Sequence, residues 1–224
     1  MISFIFLEIK DFMNNLCAIV SGGQFSELNG IESADFIIAC DKGYEYLLRS
    51  NLSPDLFIGD FDSYLGDVPE NIARIVLPKQ KDDTDTMVSI KYAVSHGFKK
   101  IFMYCALGYR FDHTIANIQA SIWAAKRIEY VKFLSEEEDI YVISNSKIKI
   151  PKKDGYSLSV FSASDVCKNV NIKNTKYVLN NAVIDNSFPI GISNEWIGDA
   201  EISVGSGVLL IILSKIERKN NGYC

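Results

Sequence analysis

Seven aspartates in the first half of the chain stand where carboxylates can do chemistry. Asp41 follows the apolar run FIIAC. Asp60 and Asp62 follow LFIG in the sequence GDFDS. Asp82, Asp83 and Asp85 form KDDTD just before a helical stripe, and Asp112 lies in GYRFDH after FMYCAL. Packed carboxylates repel one another and resist ionising together unless a cation lies between them. Oxygen donors without histidine or cysteine partners point to a hard ion, and Mg²⁺ held by a few carboxylates plus substrate phosphates fits best. Each piece alone has a plainer reading. Asp41 could be a turn former, Thr84 and Asp85 could cap the helix they open, and GDFDS could be a solvated turn. The argument for a metal and phosphate site rests on four such segments occurring together.

Two further features suit a phosphate. Gly22 and Gly23 after the first apolar run let backbone N–H groups approach an anion, although a Gly-Gly pair alone is commonly just a turn. Arg110, two residues before Asp112, could fork onto a phosphate. GxxxxGK[ST] and GxGxxG are both missing from the sequence, so a nucleotide enzyme here would belong to neither common class. His113, at a helix start, reads as a capping or packing residue before a catalytic one.

These residues need elements to position them. Apolar runs at 16–21, 36–40, 56–59, 74–77, 100–105 and 130–134 read as strands. They alternate with helices at 42–49, 84–96 and 113–126, and Gly97 closes the second helix. The alternation predicts βαβ units and a mostly parallel sheet with flanking helices, an α/β fold. Ligands of such sheets bind beyond the carboxyl ends of the strands, where these aspartates fall. After about residue 138 the pattern changes. Strand-length segments at 140–144, 147–150, 157–161, 166–172, 177–184, 200–204 and 208–213 follow one another with turn residues between them. This predicts a C-terminal all-β domain, a sandwich or jelly-roll, over 139–224, with the α/β domain over 1–138.

The composition bounds the function. A chain of 224 residues with formal charge −5 offers no evident basic face, which argues against nucleic acid. It lacks the 18 consecutive apolar residues of a spanning helix, so no membrane partner is expected. The opening MISFIFLEIKDF has a six-residue apolar run without a basic flank and does not read as a signal peptide. Since Met13 precedes a cleaner strand, the first 12 residues read as a short extension or a misplaced start. The five cysteines are odd in number and form no CxxC, and they read as buried reduced thiols of a cytoplasmic protein.

Taken in order, the motifs resemble those of the thiamine pyrophosphokinase family. IVSGG (19–23), CDKGYEYLL (40–48), PDLFIGDFDS (54–63), KDDTD (81–85) and GYRFDHTIANIQ (108–119) are similar to its successive elements. ISNEWIG (192–198) and GVLLIILS (207–214) resemble its closing segments. The resemblance covers residues 16–214 and implies transfer of the pyrophosphoryl group of ATP to thiamine, giving thiamine diphosphate and AMP. It implies Mg²⁺ on Asp60, Asp62 and Asp85, and catalytic roles for these and Asp112. ATP would be bound by Gly22, Gly23, Asp41, Lys42, Gly43, Lys81, Thr84 and Arg110. Thiamine would be met by Asp112, Ser193 and Asn194. The partner implied is a second copy, in a homodimer with active sites between subunits.

The chain departs from the family pattern at four places. Tyr109 stands for a glycine, Asp83 for a common lysine and Lys42 for a common arginine. The last strand offers no aromatic to stack on thiamine, for which Trp196 is a substitute. Two rival readings stay open at this point. One is a Mg²⁺-dependent phosphohydrolase with an attacking aspartate, which would need a covalent intermediate. The other is a sensing module that binds without turnover, suggested by Tyr109.

Overall fold

The structure is a computed structural model that describes residues 14–60, 68–78, 80 and 82–216. Asp62, Lys81, Cys224 and the first 12 residues lie outside the described residues. The first half reads β1 (Leu16–Val20), β2 (Phe36–Cys40), α1 (Gly43–Arg49), β3 (Leu56–Gly59), β4 (Ala73–Val76), α2 (Asp85–Ser95), β5 (Lys100–Tyr104), α3 (Phe111–Ala125) and β6 (Tyr130–Leu134). The second half reads β7 (Glu138–Ser144), β8 (Lys147–Ile150), β9 (Tyr156–Ser162), β10 (Val166–Thr175), β11 (Leu179–Asp185), β12 (Gly191–Asn194), β13 (Trp196–Ser203) and β14 (Val208–Lys215).

The α/β class stands, and the two halves share one sheet. Ten strands run in the order β12-β9-β14-β7-β6-β5-β1-β2-β3-β4, and a second sheet runs β11-β10-β13-β8. The strands from β6 to β4 pair in parallel. β7 then turns back antiparallel on β6, pairing Val131 with Val142 and Phe133 with Ile140. The change of sequence pattern near residue 138 is therefore a change of strand direction within a continuous hydrogen-bonded sheet.

Burial explains the layers. β1 is buried at every position, as expected of a parallel strand covered on both faces. Ile19, Ile101, Met103, Val131 and Val142 pack with Ile90 of α2 and with Ala120 and Ala124 of α3 on one face. Ala18, Val20, Phe57 and Tyr104 pack with Tyr44, Tyr46 and Leu47 of α1 on the other. On that second face, further along, Ile143, Leu209, Ile211 and Leu158 pack against Val170, Ile172 and Ile202 of the four-stranded sheet, forming the C-terminal sandwich. A charged seam lies between these two covers. The side chain of Asp139, 11% exposed, takes Lys153 Nζ at 2.9 Å and Lys132 Nζ at 3.6 Å. Lys132 also lies over the rings of Phe102 and Tyr141. Burial pulls its pKa down, and Asp139 partly restores it.

Helix α2 illustrates how local sequence sets the boundaries. Thr84 Oγ1 accepts the Met87 N–H at 3.1 Å and opens the helix. Gly97, at φ +85°, closes it, with its N–H donating to Val94 and the Phe98 N–H to Ala93, the Schellman pattern. The sequence did not predict β12. It is a four-residue edge strand whose pairing with β9 is irregular between Gly191 and Asn194, with Ser193 at φ +55°.

Candidate active site

Three carboxylates meet beyond the carboxyl ends of β2 and β3. One ligand oxygen from each of Asp41, Asp60 and Asp85 lies within 4.8 Å of the other two. Asp41 follows β2, Asp60 follows β3, and Asp85 is the first residue of α2. Octahedral Mg²⁺ places opposite oxygens about 4.2 Å apart, so the donor set and its span suit that ion. Asp41 was expected among the ATP-binding residues, yet it is the most buried member of this cluster, at 8% exposure.

Backbone fit holds Asp41 in place. The residue adopts φ +46°. Its Oδ1 accepts the Asp60 N–H at 3.2 Å, and its N–H donates to Ile58 O at 3.0 Å. A Cβ on Gly59 would fall 1.9 Å from that Oδ1, so the glycine of GDFDS makes room for the carboxylate of Asp41. Gly43 makes room in the same way. A Cβ there would meet Val20 O at 1.8 Å, so its absence lets α1 dock end-on against β1. Behind the cluster, burial first and then Asp41 and Asp85 push the Cys40 thiol up to about 12, which keeps it protonated. The four described cysteines are buried and free.

The glycine turn after β1 is fastened to the turn after β5. Ser21, Gly23 and Gln24 donate their N–H groups to the carbonyls of Tyr104, Cys105 and Leu107 at 2.7–2.9 Å. A Cβ on Gly23 would lie 2.6 Å from Cys105 O. Gly23 therefore serves close packing, and Gly22 is the member of the pair whose N–H is not used in this clamp. Gly22 also borders Lys42, whose Cβ is 3.1 Å from the position a Gly22 Cβ would take. Asn117, at 9% exposure, donates Nδ2 to Ala106 O at 2.8 Å and ties α3 to the same turn. It belongs to the segment GYRFDHTIANIQ, and sequence reasoning assigns it no role; an asparagine on the inward face of an apolar helix is the available signal.

Arg110 and Asp112 sit on an exposed rim where α3 begins. Arg110 Nε and Nη2 reach Asp112 Oδ1 and Oδ2 at 3.1 and 2.5 Å, a two-point fork on an exposed surface. Asp112 is thus outside the three-carboxylate cluster. The guanidinium holds its carboxyl below the usual range. Thr84, expected to bind ATP, uses its hydroxyl as the α2 cap.

Ser193 and Asn194 lie at the other edge of the ten-stranded sheet. β12 and β2 are seven strand positions apart, on the order of 30 Å at about 4.8 Å per strand. Ser193 is exposed, and its N–H donates to Ser159 Oγ at 3.0 Å. Asn194 is 4% exposed and engaged within its own chain. Its Nδ2 donates to Tyr177 O and Thr175 Oγ1, and its Oδ1 accepts from the Tyr177 and Glu195 N–H groups. Its amide braces this corner. Trp196, expected as a substitute stacking residue, donates Nε1 to Tyr156 O at 2.7 Å. A cavity of about 510 Å³ opens here, lined among others by Tyr156, Ser193, Asn194, Glu195 and Trp196.

This arrangement has known counterparts. The thiamin pyrophosphokinase catalytic domain model matches residues 28–132, and the thiamin pyrophosphokinase vitamin B1 binding domain model matches residues 145–209. Thiamine pyrophosphokinase of Bacillus subtilis (strain 168) is 27% identical over 207 residues, covering 88% of this chain and 97% of that protein. Among solved structures, a Bacillus subtilis thiamine pyrophosphokinase superposes with a TM-score of 0.78 at 24% identity, covering 89% of this chain and 99% of that one. A thiamin pyrophosphokinase from Candida albicans gives 0.71 at 16% identity, covering 90% of each chain. The matches span both halves, in the order the motifs predicted and on the fold just described: the chain belongs to the thiamin pyrophosphokinase family.

Proposed function

We propose that the Asp41–Asp60–Asp85 cluster is where this chain performs its family's reaction, transfer of the pyrophosphoryl group of ATP to thiamine with release of AMP. The meeting of three carboxylates from three separate segments is the observation that carries this reading. Asp62, two residues beyond Asp60, is proposed as a fourth ligand. Bound Mg²⁺ would neutralise the triphosphate and the charge that develops on it. The remaining work falls to the chain. Lys42, Lys81 and Arg110 offer cations to the phosphates, and the Gly22 N–H offers a donor. Attack must fall on the β-phosphorus, so these groups must hold the triphosphate with that atom exposed. Asp112, kept anionic by Arg110, is a weak proton acceptor and suits orienting the thiamine hydroxyl.

On this reading residues 1–138 bind ATP and Mg²⁺, and 139–224 bind thiamine and a second subunit. Ser193 supplies the thiamine contact and Asn194 holds its strand. Since this corner is on the order of 30 Å from the acidic cluster of the same chain, a complete site needs two copies. Exposed Tyr177, Val183, Phe188, Ile190 and Ile192 give that half an apolar surface to cover. No described helix is long and apolar enough to cross a membrane, and the buried free thiols suit a reducing, cytoplasmic setting.

The test is incubation with thiamine, ATP and Mg²⁺ followed by separation of products. Thiamine diphosphate and AMP in equal amounts, formed only with all three present, is the expected result. ADP or free phosphate formed without thiamine would overturn the reading in favour of a phosphohydrolase.

A further inference from the structure

Ten non-glycine residues among those described have positive φ. Six are asparagine and one is Asp41, the types that tolerate this region best. The exceptions are Cys105, Tyr109 and Ser193. Tyr109 is the extreme case. Its φ is +51°, and the Arg110 N–H donates across it to Gly108 O at 2.7 Å, a γ-turn of the rare, strained kind. Its side chain is 75% exposed, so packing within the chain does not offset the cost of a bulky residue there. Strain held without local compensation is the mark of a residue retained for a contact made outside the chain.

The surroundings of Tyr109 indicate that contact. Gly108, at φ +79°, has no room for a Cβ beside Gln24, so Tyr109 rides on the turn clamped to Gly23 and Gln24. That turn follows β5, two and three strand positions from the β2 and β3 ends that carry Asp41 and Asp60, or about 10–14 Å. The distance matches the reach from a nucleoside base to its distal phosphates. Arg110, the next residue, is forked onto Asp112, so the surface beside Tyr109 carries no net charge, which suits the face of a neutral purine.

We infer that Tyr109 binds the nucleotide by stacking its ring on the purine base. The inference rests on the proposed reading that phosphates sit at the acidic cluster, and it assigns the base end of the same site.

The experiment is calorimetric titration, with Mg²⁺ present, of the whole protein with a non-hydrolysable ATP analogue and, separately, with inorganic tripolyphosphate, which has no base. Tyr109→Gly weakens the ATP analogue about tenfold, in the range of a lost base–aromatic stack, and leaves tripolyphosphate within about twofold. Tyr109→Phe keeps both within about twofold. In Tyr109→Gly the relief of φ strain offsets the freer unfolded chain, so its melting temperature stays within about 5 °C of wild type and folding does not obscure the result. Unchanged affinity for the analogue in Tyr109→Gly, or equal loss for analogue and tripolyphosphate, overturns the inference. Binding is read without turnover, so failure to form thiamine diphosphate would count against the proposed reaction and leave this measurement standing.

Discussion

The acidic edge at β2 and β3 and the corner at β12 are equally visible in the sequence as polar motifs, yet they use their polar groups in opposite ways. At the edge, Asp41, Asp60 and Asp85 turn oxygens toward one another, and glycines supply the room. At the corner, both ends of the Asn194 amide are engaged by Tyr177, Thr175 and Glu195. Clustered like charges are costly without a cation, and a fully bonded buried amide is stabilising without any ligand. The same prominence in sequence therefore goes with facing carboxylates, the proposed metal site, in one half and with a fully bonded amide in the other.

The contrast breaks first at Asp60. Asp60→Asn should lower turnover at least about 100-fold, since positioning and charge neutralisation supply most of phosphoryl-transfer catalysis. Without metal its melting temperature should hold or rise, because one of three facing charges is gone, and the stabilisation of wild type by added Mg²⁺ should shrink. A thermal scan with and without Mg²⁺ beside an activity assay checks both; a variant as active as wild type would remove the cluster from the chemistry.

The proposed two-copy site gives the next effect. Asp60→Asn and Ser193→Arg protomers, each inactive alone, should regain about a quarter of wild-type activity when unfolded together and refolded, because half of the random dimers carry one intact site. Absence of recovery would mean that Ser193 and Asp60 serve the same chain.

Asn194→Ala should cost roughly 1–3 kcal/mol in denaturant unfolding by removing the amide that bonds the buried Thr175 hydroxyl and the part-buried backbone of Tyr177. It should raise the KM for thiamine without moving the KM for ATP. A stable variant with a raised KM would instead mean direct contact. The smallest effect is on the rim. Arg110→Ala should let the Asp112 carboxyl climb back to the usual range near 4, read by NMR titration. The fork's small contribution to stability is present above that range and fades as pH falls through the lowered value.

Much of the fold and part of the site are legible in the sequence. Strand positions at the centre of the parallel half, β1 and β3, follow from continuous apolar runs, because burial on both faces leaves no alternation to misread, while β4 and β6 towards its flanks alternate. The aspartates announce themselves by following those runs. β12 is hidden because four residues with Gly191 and a left-handed Ser193 carry no strand period. The sequence already sends Asp41 to the same sheet edge, but its seat at ligand distance from Asp60 and Asp85 is hidden for another reason. The clue lies in Gly59, eighteen residues away, whose missing side chain makes sense only once β2 and β3 lie side by side. Asn194 stands out in the sequence within ISNEWIG, but sequence cannot tell a residue that touches a ligand from one that holds its neighbours.

The continuous ladder through β6 and β7, with Asp139 and its two lysines packed in the seam beside it, has a mechanical consequence. A chain whose halves share one sheet has no hinge between them, and bending there would break paired backbone bonds. Such an enzyme cannot close on its substrates as a pair of jaws. Enclosure and product release must instead come from loops at the strand ends or, in the proposed dimer, from sliding between its copies, so the slow step of a turnover would be sought at those places and not within the sheet.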